Sequence, residues 1–243
     1  MKVLYDGSFE GFLTLVYEVY YDALLPTSIV KTEPKELLFE PLHVVFTDEK
    51  KAQRVLLGLH KMFTKENYQR IFHIFLCDSL SFEMELLAFI VCGFKEQKEL
   101  QNITIPMVFK INSMEHELLR LAHKMYGFTR FEALEDGTLY AKIETKFNVL
   151  PFLGEHFLKR MGSHAFIIHD IKRSLAYVKN ETSASIHTIA SFETPLLSSD
   201  EDSVKTLWKT FFNHVSIQNR KSEKRQKQLV PLLYRAYMTE FQH

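Results

Sequence analysis

The chain has 243 residues, enough for one large domain or two small ones and for a substantial buried core. Hydrophobic residues make up 46% and charged residues 25%, the balance of a globular protein and far from that of a disordered one. Lys+Arg and Asp+Glu number 30 each, so the overall charge attracts no polyanion, and nucleic acid would need a local gathering of cations.

Val3–Tyr5 reads as a short strand that breaks at Asp6-Gly7-Ser8, with Ser8 placed to cap the helix that follows. Phe9, Phe12, Leu13, Val16, Tyr17 and Tyr20 have the spacing of one buried stripe on that helix. Pro26–Pro41 reads as a connector and Leu42–Phe46 as a second strand. Thr47-Asp48-Glu49 opens the next helix with acids in its first turn, where the helix dipole favours them. That helix should bury Ala52, Val55, Leu56, Leu59 and Phe63. Further helices are expected near Lys65–Leu76, Phe82–Phe94 and Pro106–Tyr126. In the last of these, Met107, Ile111, Met114, Leu118, Leu121 and Met125 form a stripe too short for a coiled coil, so it faces a core.

Cys77 and Cys92, the only cysteines, each lie in an apolar helical stretch and read as structural core residues. Two thiols alone make neither a disulfide framework nor a zinc or iron–sulfur site. The opening Met-Lys-Val-Leu-Tyr-Asp lacks the apolar stretch of a signal peptide, and charges interrupt every long apolar run. The expectation is a cytoplasmic protein without a membrane partner.

After Gly127 the pattern changes. Phe128–Leu134 and Leu139–Glu144 are strand-like and flank Asp136-Gly137, a tight-hairpin signal. A two-residue turn there would pair Leu134 with Leu139, Phe131 with Lys142, and Arg130 with Ile143. A helix is expected over Leu150–Met161, then strands near Ala165–His169, Ser174–Val178 and Ser185–Ile189. Ser198 and Glu201 form a capping-box pattern ahead of the stripe Val204, Leu207, Trp208, Phe211, Phe212 and Val215. A polar segment precedes a last helix around Pro231–Phe241. The whole reads as an α+β chain forming a single domain over residues 1–243. Residues 1–126 are mostly helical with two short strands, 127–190 form an antiparallel sheet carrying a helix, and 191–243 form a helical tail.

Signatures for nucleotide loops, zinc proteases, paired CxxC sites and serine hydrolases are absent from the sequence. His116 and His123 are seven apart on one helix, too far for a pair at i and i+4; with Glu115 and Glu117 reading as a solvated surface, no metal and no cofactor is expected. Arg130, Phe131 and Lys142 either offer charge and stacking to a nucleic acid or snorkel from the edge of a packed sheet. His156, Arg160, His169, Asp170, Lys172 and Arg173 are the densest polar set. Such a set can bind phosphate or let a carboxylate orient a histidine for acid–base work; it can equally be a solvated turn with ion pairs. The run from Arg220 to Gln228 gathers five basic residues against one acid. Its Arg220, Lys224, Arg225 and Lys227 either track a phosphate backbone or solvate an inter-helix segment.

Taken in order, several stretches resemble a bacterial family known as probable DNA metabolism protein, a domain of unknown function. They are Tyr5-Asp6-Gly7-Ser8-Phe9-Glu10-Gly11, Thr47-Asp48 with Lys51-Ala52 and Arg54-Val55, and Gly127-Phe128 with Arg130-Phe131. Leu139-Tyr140-Ala141, His156-Phe157 with Arg160, and Asp170 with Lys172-Arg173 continue the likeness, which ends with Trp208, Phe211-Phe212, Ile217, Arg220, Gln226, Pro231 and Tyr234. In the tail, Ser222 and Leu232-Leu233 stand where the family pattern has an Asn and basic residues. Members occur beside a putative radical SAM protein of DNA modification or repair, and some are fused to a domain similar to uracil-DNA glycosylases. The resemblance implies an accessory factor in bacterial DNA repair or modification that binds nucleic acid, a radical SAM partner, or both. Two other readings stay open: an enzyme acting on a nucleic acid or nucleotide through Asp6, His156, Asp170 and Lys172, and a pure protein adaptor.

Overall fold

The computed structural model describes residues 1–33, 41–189, 196–215 and 222–242. The chain divides into two compact units, Met1–Leu118 and Leu119–His243.

In the first unit, β1 (Lys2–Leu4), β2 (Ser28–Val30) and β3 (Leu42–Val44) form a parallel sheet in the order β2-β1-β3. Parallel neighbours require a crossover, and α1 (Phe9–Tyr21) supplies it between β1 and β2. Ser8 caps α1 as expected, its hydroxyl accepting from the Gly11 amide at 2.9 Å. The helix is buried over more than one stripe: Leu15 and Thr14 are fully buried with Phe12, Leu13 and Val16, whereas Tyr20 is exposed. Strand β2 lies in the stretch read as a connector. At three residues it has no alternation to read, and residues 34–40 of that stretch lie outside the described residues.

Helices α2 (Glu49–Met62), α3 (Lys65–Phe75) and α4 (Glu83–Lys95), a 3-10 turn (Gln97–Gln101) and α5 (Pro106–Phe128) follow. Asp48 caps α2 by accepting from the Lys50 and Lys51 amides at 2.8 and 3.1 Å; of the predicted stripe Ala52, Val55, Leu59 and Phe63 are buried and Leu56 is half-buried. Glu115 departs from its surface reading. It accepts from Arg70 Nε at 2.6 Å and sits 2.8 Å from His73 Nδ1, tying α3 to α5.

The second unit is built on β4 (Glu132–Ala133), β5 (Leu139–Ile143), β6 (Phe166–Asp170), β7 (Leu175–Lys179) and β8 (Ala184–Thr188), which lie side by side in chain order. This sheet is mixed and not wholly antiparallel. β5 and β6 run parallel, joined through α6 (Leu150–Met161), and the other pairs are antiparallel. A helix between two neighbouring strands reverses the chain once more, which makes those strands parallel. Ile143, Phe147, Leu150, Leu153, Phe166 and Ile168 fill the core between α6 and the sheet, while Tyr140 is buried on the opposite face.

The first hairpin also differs from expectation. Ala133 pairs with Leu139 and Glu132 with Tyr140, one residue away from the register of a two-residue turn. The Gly137 amide donates to Leu134 O, the Leu134 amide donates to Thr138 O, and Gly137 takes φ +80°, forming a tight turn closed by a glycine bulge. Asp-Gly serves both turn types, and a one-residue slip moves every side chain to the opposite face. Phe131 therefore does not face Lys142; its ring packs edge-on against Phe157 and Phe166.

Helices α7 (Glu201–Val215), α8 (Glu223–Leu229) and α9 (Leu232–Arg235) and a 3-10 turn (Thr239–Phe241) complete the chain, so the single last helix expected around Pro231–Phe241 is broken. The capping box at α7 does not form. Glu201 is buried and accepts instead from the Ala133 amide at 2.8 Å, fastening α7 to β4.

Candidate functional site

In the first unit, the three parallel strands end together at a crevice of about 320 Å3, lined by Tyr5, Asp6, Lys31, Glu33, Phe46 and Thr47 among others. In open parallel sheets, ligands bind outside the carboxyl ends of the strands where the strand order reverses, and this crevice lies at such a place. Asp6 Oδ1 accepts from the Ser8 amide at 2.9 Å and the Ser8 hydroxyl at 2.7 Å, and Oδ2 accepts from the Thr47 hydroxyl at 2.6 Å. Partial burial raises the Asp6 pKa, but the bonds from Thr47 and Ser8 outweigh it and hold the carboxyl below its ordinary range. A Cβ on Gly11 would stand 2.2 Å from Asp6 Oδ1, so the carboxylate occupies space that only a glycine in α1 leaves free.

Behind this rim, Glu83 is buried and fully engaged. Lys31 Nζ lies 2.7 Å from Glu83 Oε1, the Tyr5 hydroxyl donates to the same oxygen at 3.4 Å, and the Phe82 amide donates to Oε2 at 3.0 Å. Burial, and next the Glu83 charge, push the Tyr5 hydroxyl pKa up. Lys31 and Glu83 carry no sequence signal for a site, because chain distance separates them from Asp6.

The polar set of the second unit is distributed among separate partners. Asp170 is wholly buried at the end of β6, and Arg173 Nη1 donates to its Oδ2 at 2.8 Å. The same guanidinium donates to Thr145 O at 3.2 Å and Lys146 O at 2.9 Å, so it pins the β6–β7 turn to the segment before α6. His156 on α6 stacks on Tyr126 with ring centroids 4.1 Å apart, and its Nε2 is buried. Burial, and next Arg160 and Lys159, lower its pKa. His169 Nδ1 sits 2.9 Å from the Tyr140 hydroxyl, and burial lowers its pKa, with Lys142 adding and Asp170 opposing. Lys172 and Arg160 are exposed. Asp6 belongs to the first unit and His156, Asp170 and Lys172 to the second; among the described residues no group of three His, Cys, Asp or Glu could hold a metal ion.

Arg130 is also committed. Its Nη2 donates to Glu240 Oε1 at 2.7 Å, its Nε to Oε2 at 3.2 Å, and its guanidinium lies 5.2 Å from the Trp208 ring centre. Trp208 Nε1 donates to Glu240 Oε2 at 3.0 Å. Burial raises the Glu240 pKa, but the bonds from Arg130 and Trp208 outweigh it and leave the carboxyl below its ordinary range. Glu240 carried no signal in the sequence.

The stripe of α7 meets solvent: Val204, Leu207, Phe211 and Val215 are each more than half exposed, and Trp208 is 37% exposed. At its foot a cleft of about 210 Å3 is lined by Arg130, Glu201, Lys205 and Trp208. Lys224, Arg225 and Lys227 are exposed on α8, and Arg220 lies outside the described residues. Among the described residues no helix is long and apolar enough to cross a membrane.

Compared with known proteins, residues 81–240 match the model of a family described as a domain of unknown function, DUF4130. No curated protein matches the chain.

Proposed function

We propose, from the sequence resemblance, that this member of the DUF4130 family is an accessory factor of bacterial DNA repair or modification, acting in the cytoplasm by docking and not by catalysis. One observation carries the reading: α7 presents Val204, Leu207, Trp208, Phe211 and Val215 to solvent at helical spacing, and α8 presents Lys224, Arg225 and Lys227. An apolar helix face rimmed by charge suits a protein groove, and exposed cations on a short helix suit phosphates. In this reading the stripe engages the radical SAM protein that the sequence resemblance implies, and α8 holds the DNA backbone.

The accompanying polar groups support docking over chemistry. Asp170, Arg173 and Arg130 spend their charge on internal partners, which leaves α8 as the better source of phosphate contacts. The test is a salt titration of duplex binding by the wild-type protein and by Lys224→Ala/Arg225→Ala/Lys227→Ala. If all three contact phosphates, the slope of log affinity against log salt becomes shallower by about 2.7. Leu207→Asp/Phe211→Asp should abolish co-elution with the purified radical SAM protein while leaving that slope intact. A protein that neither binds DNA in a salt-dependent way nor co-elutes with that partner is not this kind of factor.

A further inference from the structure

The crevice of the first unit is not used by the docking surfaces of α7 and α8, and its chemistry is specific. Its floor and rim combine one ionised carboxylate (Asp6), a second exposed acid (Glu33), and an apolar wall of Val44 and Phe46. Phe46 is 81% exposed, a ring left in water at the mouth of a cavity. Lys31, the one cation among the described lining residues, is held by buried Glu83 and does not balance Asp6. Among the described residues the crevice is therefore acidic, and a phosphate placed in it would meet repulsion. Two carboxylates without a third ligand do not make a metal site, and among the described residues none forms.

What remains is a flat, uncharged or cationic ligand with a hydrogen-bond donor. Oδ1 of Asp6 already accepts twice, from the Ser8 amide and hydroxyl, while Oδ2 accepts once, from Thr47, and keeps a free lone pair. An exposed aromatic ring is a stacking platform for any planar heterocycle. The cavity, about 320 Å3, is at the small end of ligand pockets and suits a single ring system. We propose that this crevice binds a planar nitrogen heterocycle bearing an exocyclic amine, the chemistry shared by adenine, cytosine and guanine. The amine donates to Asp6 Oδ2 and the ring stacks on Phe46. Gly11 is what allows the carboxylate to stand there.

The experiment is a calorimetric titration of the full chain with adenosine, cytidine and guanosine, with uridine and thymidine as amine-free controls. The expected result is saturable binding of amino nucleosides, weaker binding of uridine and thymidine, and weaker binding of cytidine monophosphate than of cytidine. Phe46→Ala should weaken cytidine binding about tenfold at an unchanged melting temperature, since stacking supplies much of such affinity. Asp6→Asn should narrow the preference for cytidine over uridine; if that variant fails to fold, Phe46→Ala decides. No saturable binding up to ligand solubility, equal binding of uridine and cytidine, or an unaffected Phe46→Ala variant would each overturn the proposal. A cytidine single strand and an abasic strand of equal charge identify the source. Binding of the first and not the second assigns a splayed base; binding of neither assigns the free nucleoside. These variants lie in the first unit, so the result is independent of the salt slope set by α8.

Discussion

At the scale of single residues, Asp170 and Arg173 show how a functional-looking cluster is consumed by structure. The pair is three residues apart across a turn, which is legible in the sequence. That the guanidinium also spans to Thr145 O and Lys146 O is not, because those carbonyls are brought in by the sheet. With Asp170 wholly buried and the Arg173 side chain 9% exposed, truncating the cation strands a charge in the interior. Arg173→Ala should cost about 3 kcal/mol in urea unfolding. Arg173→Lys should recover less than half of that, because an ammonium cannot fork to three acceptors. Arg130 carries the same lesson over a longer span: its partner Glu240 lies 110 residues away, where no local pattern points to it.

Among the elements, α6 meets β7 through one small residue. A Cβ on Gly154 would come within 2.1 Å of the Tyr177 ring, which is nearly buried. Alanine is the better helix former by about 1 kcal/mol, yet overpacking a rigid ring costs about 1–3 kcal/mol. Gly154→Ala should therefore lower the melting temperature, whereas Gly127→Ala in α5, where a Cβ meets nothing within 4 Å, should raise it slightly. Calorimetric melting of the two variants checks both signs. Helices such as α2 and α6 were legible because a cap or a proline and a long apolar period agree on their limits. β2 was not, since three residues carry no period, and neither was the parallel pairing of β5 with β6. For α7 the stripe itself was legible, but a stripe records amphipathicity and not what covers it. The Asp6 turn was visible as a break between strand and helix; the crevice around it depended on β2 and β3 arriving beside β1.

For the whole molecule, acid sensitivity follows from groups in both units. His156 and His169 have folded pKa values below the ordinary value near 6.5, so the unfolded chain binds protons more readily. Their contribution is fully present above about pH 7 and is lost as pH falls through about 6.5 towards their folded values. Asp6, Glu18, Glu115 and Glu240 are lowered too, and their contribution is lost only as pH falls below about 4.5. Urea midpoints should stay level above pH 7, drop over the histidine range, and drop again below the carboxylate range. His156→Phe, which keeps a ring on Tyr126, should flatten the first drop; an unchanged profile would refute the assignment. The strand orders of the two sheets also set a timetable for the growing chain. β4 to β8 lie in the order in which they are made, so each can zip onto its predecessor as soon as it is synthesised, across a short loop or, from β5 to β6, across α6. β1 is made first but sits in the middle, and it must wait for Ser28 and then Leu42 before its flanks are covered. The first unit is thus the slower to close, and while it is open its central strand is the segment that chaperones would have most reason to shield.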